Sequence, residues 1–399
     1  MPDIGYKGAR ATMDLIVIND IEQDECIKSL MERDSYKLLR GMVQFAETEG
    51  VTDDCIREYA ASYLANDENI VSNILQRGGK VGEDLMRMLA ADIASIYKNL
   101  FSKKNIKYKA SGNPTGYCDE YINSIRALTY AQTADELTER LIDHYKNLGC
   151  GLTSKYIAFK YDGELEGIAD VDLISFDSLV GIDYQRNMLI DNTRSFIEGK
   201  PANNVLLFGD RGTGKSSSVK ALLNMFHKDG LRIIEIPKQY IKDIPRLSKY
   251  LAGKPHKYII FLDDLSFETH ESEYRNLKIA MEGQLQANPS NVIIYATSNR
   301  RHLIRETWAD RDGGEIHRND QIQETMSLAE RFGLSLVFVA PNQKEYLNIV
   351  KSMLNEKGIE MTGELEKQAI VWQMNYGGRN GRCAKQFIAS LFAKKLKNE

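Results

Sequence analysis

The chain has no apolar stretch approaching the ~20 residues that a membrane-crossing helix needs, which argues against a membrane partner. Its opening, Met-Pro-Asp-Ile-Gly, lacks a basic segment leading into an apolar core, so no secretory leader is expected and the protein reads as soluble and cytoplasmic. Cysteine is scarce: Cys26, Cys55, Cys118, Cys150 and Cys383 are scattered, odd in number and never form a C-x-x-C pair. They are expected to be reduced core thiols, with neither a disulfide framework nor a zinc site. An excess of one charge is missing too. The 52 Lys plus Arg against 56 Asp plus Glu give a formal charge of −4, so no global field recruits nucleic acid or an anionic bilayer. Internal repeats and low-complexity tracts are also absent. What the chain does have is length: 399 residues suffice for two or three domains, each with its own core.

From about Asp20 to Gly149 the apolar residues recur three and four apart, as in Ile27, Leu30, Met31, Leu38 and Leu39, which predicts helices. Thr133-Ala-Asp-Glu136 has the form of a capping box, and Gly149 stands where that helix should stop after Leu148. A polar stretch from Ser102 to Gly116 reads as a loop. Tyr156–Tyr161, Asp162-Gly163 and Glu164–Gly167 predict a short hairpin on a type I′ turn. Beyond about residue 170, apolar runs at 205–208, 232–236, 258–262, 292–296 and 334–339 alternate with amphipathic helical stretches, the pattern of a parallel sheet wrapped by helices. The expected division is a mainly helical N-terminal domain over 1–170, an α/β nucleotide-binding core over 171–341, and a helical lid over 342–399.

Gly209-Asp-Arg-Gly-Thr-Gly-Lys-Ser216 follows one of the apolar runs and has the form of a phosphate-binding loop. Glycines let successive N–H groups turn inward around a polyphosphate, where side chains would block approach. Within Gly209, Asp210, Arg211, Gly212, Thr213, Gly214, Lys215, Ser216 and Ser217, Lys215 would reach the β/γ-phosphates and Ser216 would hold Mg²⁺. The following helix would aim its positive dipole end at the same anion. Tyr258–Leu262 ends in Asp263-Asp264, which places Asp263 as the second metal contact beside Ser216. Either Asp264 or Glu268, one helical turn on, would orient the attacking water. The strand over 291–296 ends in Thr297-Ser298-Asn299, where Asn299 would touch the γ-phosphate or the water without adding charge. Arg331, just before the last strand, would enter a neighbouring subunit's site and neutralise charge on the transferring phosphoryl group. Of Arg379 and Arg382, Arg382 is the preferred lid contact to the γ-phosphate. Adenine is expected near Leu179–Ile182, with Val180 and Gly181 in contact.

These residues resemble an AAA+ ATPase and, more narrowly, the bacterial family of domain of unknown function 815. The narrower resemblance rests on Gly199–Ser216, Phe261-Leu-Asp-Asp-Leu-Ser-Phe-Glu268, Ala296-Thr-Ser-Asn-Arg-Arg-His-Leu303 and Ser327-Leu-Ala-Glu-Arg-Phe-Gly333. It implies an AAA+ core with a C-terminal helical lid, ATP with Mg²⁺, and homo-oligomers with sites at subunit interfaces. Aspartate at 264 departs from the usual AAA+ glutamate.

Two outputs fit the motif set: ATP hydrolysis that remodels or loads a protein or nucleic-acid client, and a nucleotide-gated scaffold whose assembly is itself the output. A small-molecule kinase would leave Arg331 and the lid arginines without a shared role. For the client, Arg300-Arg301-His302 with Arg305 forms a basic cluster, yet no aromatics interleave it to stack on bases.

Overall fold

The computed structural model describes residues 13–19, 21–32, 34–49, 54–102, 108, 116–268, 272–282, 289–299, 304–305, 331–376 and 378–395. The chain divides into two compact units. One comprises Met1–Ile157, Glu166–Asp170 and Ala252–His256; the other comprises Ala158–Leu165, Val171–Leu251 and Lys257–Glu399.

The first unit is helical: α1 (Glu25–Glu32), α2 (Ser35–Glu49), α3 (Cys55–Asn66), α4 (Ile70–Gln76), α5 (Glu83–Ile96), α6 (Asp119–Thr129), α7 (Ala134–Asn147) and α8 (Leu152–Lys155). The helical spacing explains its core. Leu38, Met42 and Ala46 share the buried face of α2, and Leu137, Leu141 and Tyr145 that of α7. Leu39, expected in the same stripe, falls on the outer face of α2 at 51% exposure. Thr133 caps α7 by accepting from Glu136 N–H at 3.1 Å, but Glu136 does not complete the expected box. Its carboxylate reaches one residue further back and accepts from Gln132 N–H at 2.6 Å. Gly149, at φ 78°, ends the element in the left-handed region that glycine adopts without a Cβ penalty. Most of the expected 102–116 loop lies outside the described residues.

Three buried polar side chains here show how such groups are partnered. Asp92 accepts from the N–H groups of Ile16, Val17 and Ile18 at 2.6–3.0 Å. Lys254, on the segment Ala252–His256, is 7% exposed and donates to Glu68 Oε1 at 2.8 Å and to Cys150 O at 3.3 Å. His144 makes 2.7 Å and 3.2 Å contacts with Ser124 Oγ and Ala65 O. A carbonyl only accepts, so Nε2 carries the proton and the ring is the neutral Nε2–H tautomer.

The second unit contains a seven-stranded sheet of order β2-β1-β4-β5-β7-β3-β9: β1 (Ala158–Tyr161), β2 (Leu165–Gly167), β3 (Val205–Gly209), β4 (Leu231–Glu235), β5 (Lys257–Leu262), β7 (Val292–Ser298) and β9 (Leu334–Phe338). The pairs β1/β4, β4/β5, β5/β7, β7/β3 and β3/β9 are all parallel. Parallel strands covered on both faces are apolar throughout, as Val205–Leu207 and Tyr258–Leu262 are. The five expected strands form, and the hairpin joins their sheet: Phe159 of β1 pairs with Ile234. Its turn runs through Asp162–Glu164, with Gly163 at φ 108° and Asp162 N–H donating to Glu164 O at 3.2 Å, one residue longer than a type I′ turn. The two-residue strands β6 (Phe267–Glu268) and β8 (Ile304–Arg305) form a separate parallel pair.

Helices α9 (Asp183–Ile197), α10 (Lys215–Phe226), α11 (Ile244–Leu251) and α12 (Ser272–Glu282) accompany the strands. After β9 come α13 (Gln343–Asn355), α14 (Gly363–Tyr376) and α15 (Gly381–Lys395), which share a core of Tyr346, Val350, Leu354, Ala369, Ala384 and Phe387. Asn342 and Glu345 form a complete capping box at the start of α13, at 2.8 and 3.0 Å. Among the described residues no helix is long and apolar enough to cross a membrane.

Candidate functional site

Because β7 lies between β3 and β5, the carboxyl ends of three neighbouring parallel strands meet at one sheet edge, where open α/β sheets bind ligands. Residue 296 is level with both Leu206 and Leu262, so the loop after β3, the acidic pair after β5 and the polar end of β7 are brought together by register alone.

The loop after β3 is shaped by its glycines. A Cβ on Gly209 would lie 2.0 Å from Phe338 O, so β9 can pair with β3 this closely only if residue 209 has no side chain. Gly214, at φ 99°, turns the chain into α10. Asp210 does not face the cavity: its N–H donates to Phe338 O at 2.9 Å and its carboxylate accepts from Ala340 N–H at 2.7 Å, bracing the loop against the end of β9. Lys215 is 6% exposed, and its ammonium donates to the carbonyls of Gly209 at 2.9 Å and Asp210 at 2.6 Å. Burial pushes its pKa below the ordinary lysine value, against the opposing pull of Asp210, Asp264 and Asp263.

Ser216 Oγ donates to Asp263 Oδ1 at 2.6 Å, and Thr297 Oγ1 donates to the same oxygen at 2.5 Å. Asp264 sits at φ 51°, the sole non-glycine positive φ among the described residues. Its N–H donates to Thr297 Oγ1 at 2.8 Å, and its carboxylate accepts from the side-chain amide of Asn299. Glu268 is not one helical turn on from Asp264. The chain there is extended, and the backbone of residue 268 is in register with that of residue 305 in β6/β8.

A cavity of about 1330 Å³ opens over this edge. Arg211–Ser217, Asp263, Asp264 and Asn299 line one side of it, Leu179–Ile182 another, and Arg382, Lys385 and Ile388 of α15 a third. The expected adenine contacts Val180 and Gly181 are thus placed with the loop, while Gly209 and Asp210 lie behind it. Arg382 faces the cavity, whereas Arg379 donates from Nε to Gln373 Oε1 at 3.3 Å within the C-terminal helices. Gly381 N–H donates to Gly212 O at 3.1 Å, so α15 begins on the loop itself. Arg331 precedes the buried Phe332 at the foot of β9 and does not line the cavity. Arg300, Arg301 and His302 lie outside the described residues.

Two residues of the site escaped the sequence reading. Thr297 stands in a string singled out for Asn299, and Lys385 follows Arg382 by three positions, the spacing that puts both on one helix face.

A hydroxyl and a carboxylate in contact suit a hard, oxygen-seeking cation such as Mg²⁺, which binds through few protein ligands and otherwise through phosphates and water. Among the described residues no cluster of three or more His, Cys, Asp or Glu could hold a metal by itself.

Over 71 residues the chain is 37% identical to the 26S proteasome regulatory subunit 4 homolog of Saccharomyces cerevisiae, spanning 16% of this chain and 16% of that relative's length. Among solved structures it is similar to the ORC1 protein of Aeropyrum pernix in complex with DNA, at 15% identity and TM-score 0.39 over 55% of this chain and 62% of that one. It is also similar to a RuvB variant of Thermotoga maritima, at 14% identity and TM-score 0.33 over 54% and 72%. Residues 154–395 match the family described as Protein of unknown function (DUF815), well over half of the chain. The chain belongs to that family, and its sheet is a largely parallel α/β sheet with the phosphate-loop sequence between β3 and α10 and three helices after β9.

Proposed function

We propose that the protein binds ATP with Mg²⁺ in the cavity at the sheet edge and hydrolyses it, coupling turnover to the remodelling or loading of a protein or nucleic-acid client. The observation that carries this reading is the 2.6 Å contact of Ser216 with Asp263, which joins the phosphate loop to the acidic strand end. Magnesium, when bound, would neutralise charge on the β- and γ-phosphate oxygens. Lys215 would exchange its two backbone carbonyls for phosphate oxygens. Asp264 would orient the attacking water and accept its proton, with Asn299 fixing the carboxylate. Arg382 would meet the γ-phosphate from α15. Leu179–Ile182 would hold the adenine.

Arg331 lies apart from this cavity, which supports a role toward the site of a neighbouring copy, with ATP at the interfaces of a homo-oligomer. Residues 1–170 would engage the client, 171–341 carry the chemistry and 342–399 act as lid, in a cytoplasmic protein. A second reading, a nucleotide-gated scaffold with slow hydrolysis, is favoured by one observation: the Asp264 carboxylate is short and already engaged by Asn299.

Calorimetry with MgATP and phosphate release by the full chain test the first reading, and oligomer size in ATP, ADP and no nucleotide tests the second. Binding with turnover is the expected result. No heat with any adenine nucleotide would overturn both, while binding with unchanged size and no turnover would overturn the coupling in either form.

A further inference from the structure

We infer that Thr297 is the positioning residue of the acidic pair, the one group that sets both the metal-side carboxylate of Asp263 and the backbone corner that aims Asp264. The inference rests on the ATPase reading only for its kinetic consequence.

Thr297 is 1% exposed and is the penultimate residue of β7. A threonine hydroxyl has one proton and two lone pairs. Here the proton goes to Asp263 Oδ1 at 2.5 Å, and a lone pair takes Asp264 N–H at 2.8 Å. The backbone of the same residue adds a third tie, its carbonyl accepting from Leu265 N–H at 2.7 Å. Next to it, Ser298 Oγ donates to Leu265 O at 2.8 Å. The turn at 263–265 is thereby fastened residue by residue to the end of β7.

The fastening has a task. Asp264 is held at φ 51°, a conformation that disfavours any residue with a Cβ and persists only where surroundings over-determine it. Asp263 Oδ1 collects Ser216 Oγ, Thr297 Oγ1 and Asp264 N–H. Of these three donors, Ser216 would turn to the cation when a nucleotide arrives, and Asp264 N–H is the longest contact at 3.1 Å. The Thr297 hydroxyl therefore becomes the main restraint on the Asp263 rotamer in the loaded site. Valine at 297 would keep the shape of the side chain and its β-branched fit to the strand while deleting the hydroxyl; serine would keep the hydroxyl.

The test uses the full chain with Thr297→Val and Thr297→Ser. Amide hydrogen exchange at Asp264, without nucleotide, is expected to speed up at least tenfold in Thr297→Val and to stay near wild type in Thr297→Ser. With ATP, Thr297→Val is expected to lower kcat at least tenfold and to raise the Mg²⁺ concentration for half-maximal rate, with KM for ATP changed less than threefold; serine restores both. Unchanged exchange in the valine variant, or serine behaving as poorly as valine, overturns the inference. Should the valine variant not fold, a serine variant with an altered Mg²⁺ requirement or faster Asp264 exchange overturns it equally. Failure of the wild-type chain to bind MgATP strikes the ATPase reading instead, and the exchange result still decides the role of Thr297.

Discussion

The side-chain amide of Asn299 donates to the carboxylate of Asp264, tying the end of β7 to the residue proposed to orient water. Removing the amide in Asn299→Ala should leave ATP affinity near wild type and lower kcat by about 10²-fold, the scale on which a positioned donor acts. Asp264→Asn should bind ATP and retain it unhydrolysed. Single-turnover measurements with radiolabelled ATP separate the two steps; a normal rate in Asp264→Asn would overturn its water-orienting role.

Lys215 makes its two hydrogen bonds from a buried position, and burial already opposes its charge. A phosphate would put an anion in direct contact with the ammonium, adding to the pull of Asp210, Asp264 and Asp263. Lys215→Ala is expected to weaken ATP binding about 10- to 100-fold, matching the ~1.5–3 kcal/mol of a hydrogen bond to a charged group. Calorimetry with ATP checks it.

Arg382 and Arg379 should separate cleanly. Arg382→Ala removes a cavity cation and is expected to reduce ATP turnover with no loss of thermal stability. Arg379→Ala breaks the link to Gln373 and is expected to cost about 1 kcal/mol of stability with nucleotide affinity intact. Paired thermal melts and nucleotide titrations distinguish them.

The helical unit should lose stability in mild acid through His144. Burial lowers its pKa to about 4 from the ordinary 6.5. Above pH 6.5 the ring is neutral whether the chain is folded or not, so its contribution is fully present. As pH falls from 6.5 toward 4 the unfolded chain takes up the proton first, and the folded state loses about 3 kcal/mol. His144→Gln should flatten that slope in denaturant titrations of the full chain, read from amide exchange in α7.

The parts of this molecule legible from sequence are those set by local pattern. Five parallel strands announced themselves because strands buried on both faces are continuous apolar runs, and the loop did so because its backbone geometry demands glycine. What stayed hidden depends on partners distant in sequence. The four residues of β1 look like half of an isolated hairpin until β4 lies beside them. Asp210 reads as a loop residue facing phosphate until Ala340, 130 positions on, claims its carboxylate. The sequence prefers Arg382 to Arg379 but gives no sign that Arg379 is engaged by Gln373. Glu268 looked one turn from Asp264 because no local signal marks a two-residue strand.

The segment Ala252–His256 carries one more implication. The polypeptide enters the helical unit, leaves it at Ile157, touches it again at Glu166–Asp170, and returns just ahead of the strand that ends in Asp263. Deleting residues 1–170 would strand Lys254, an ammonium 7% exposed that would lose Glu68 and the Cys150 carbonyl in one stroke. Misbehaviour of such a fragment would therefore report on an amputated scaffold, and only whole-chain variants can speak to the chemistry.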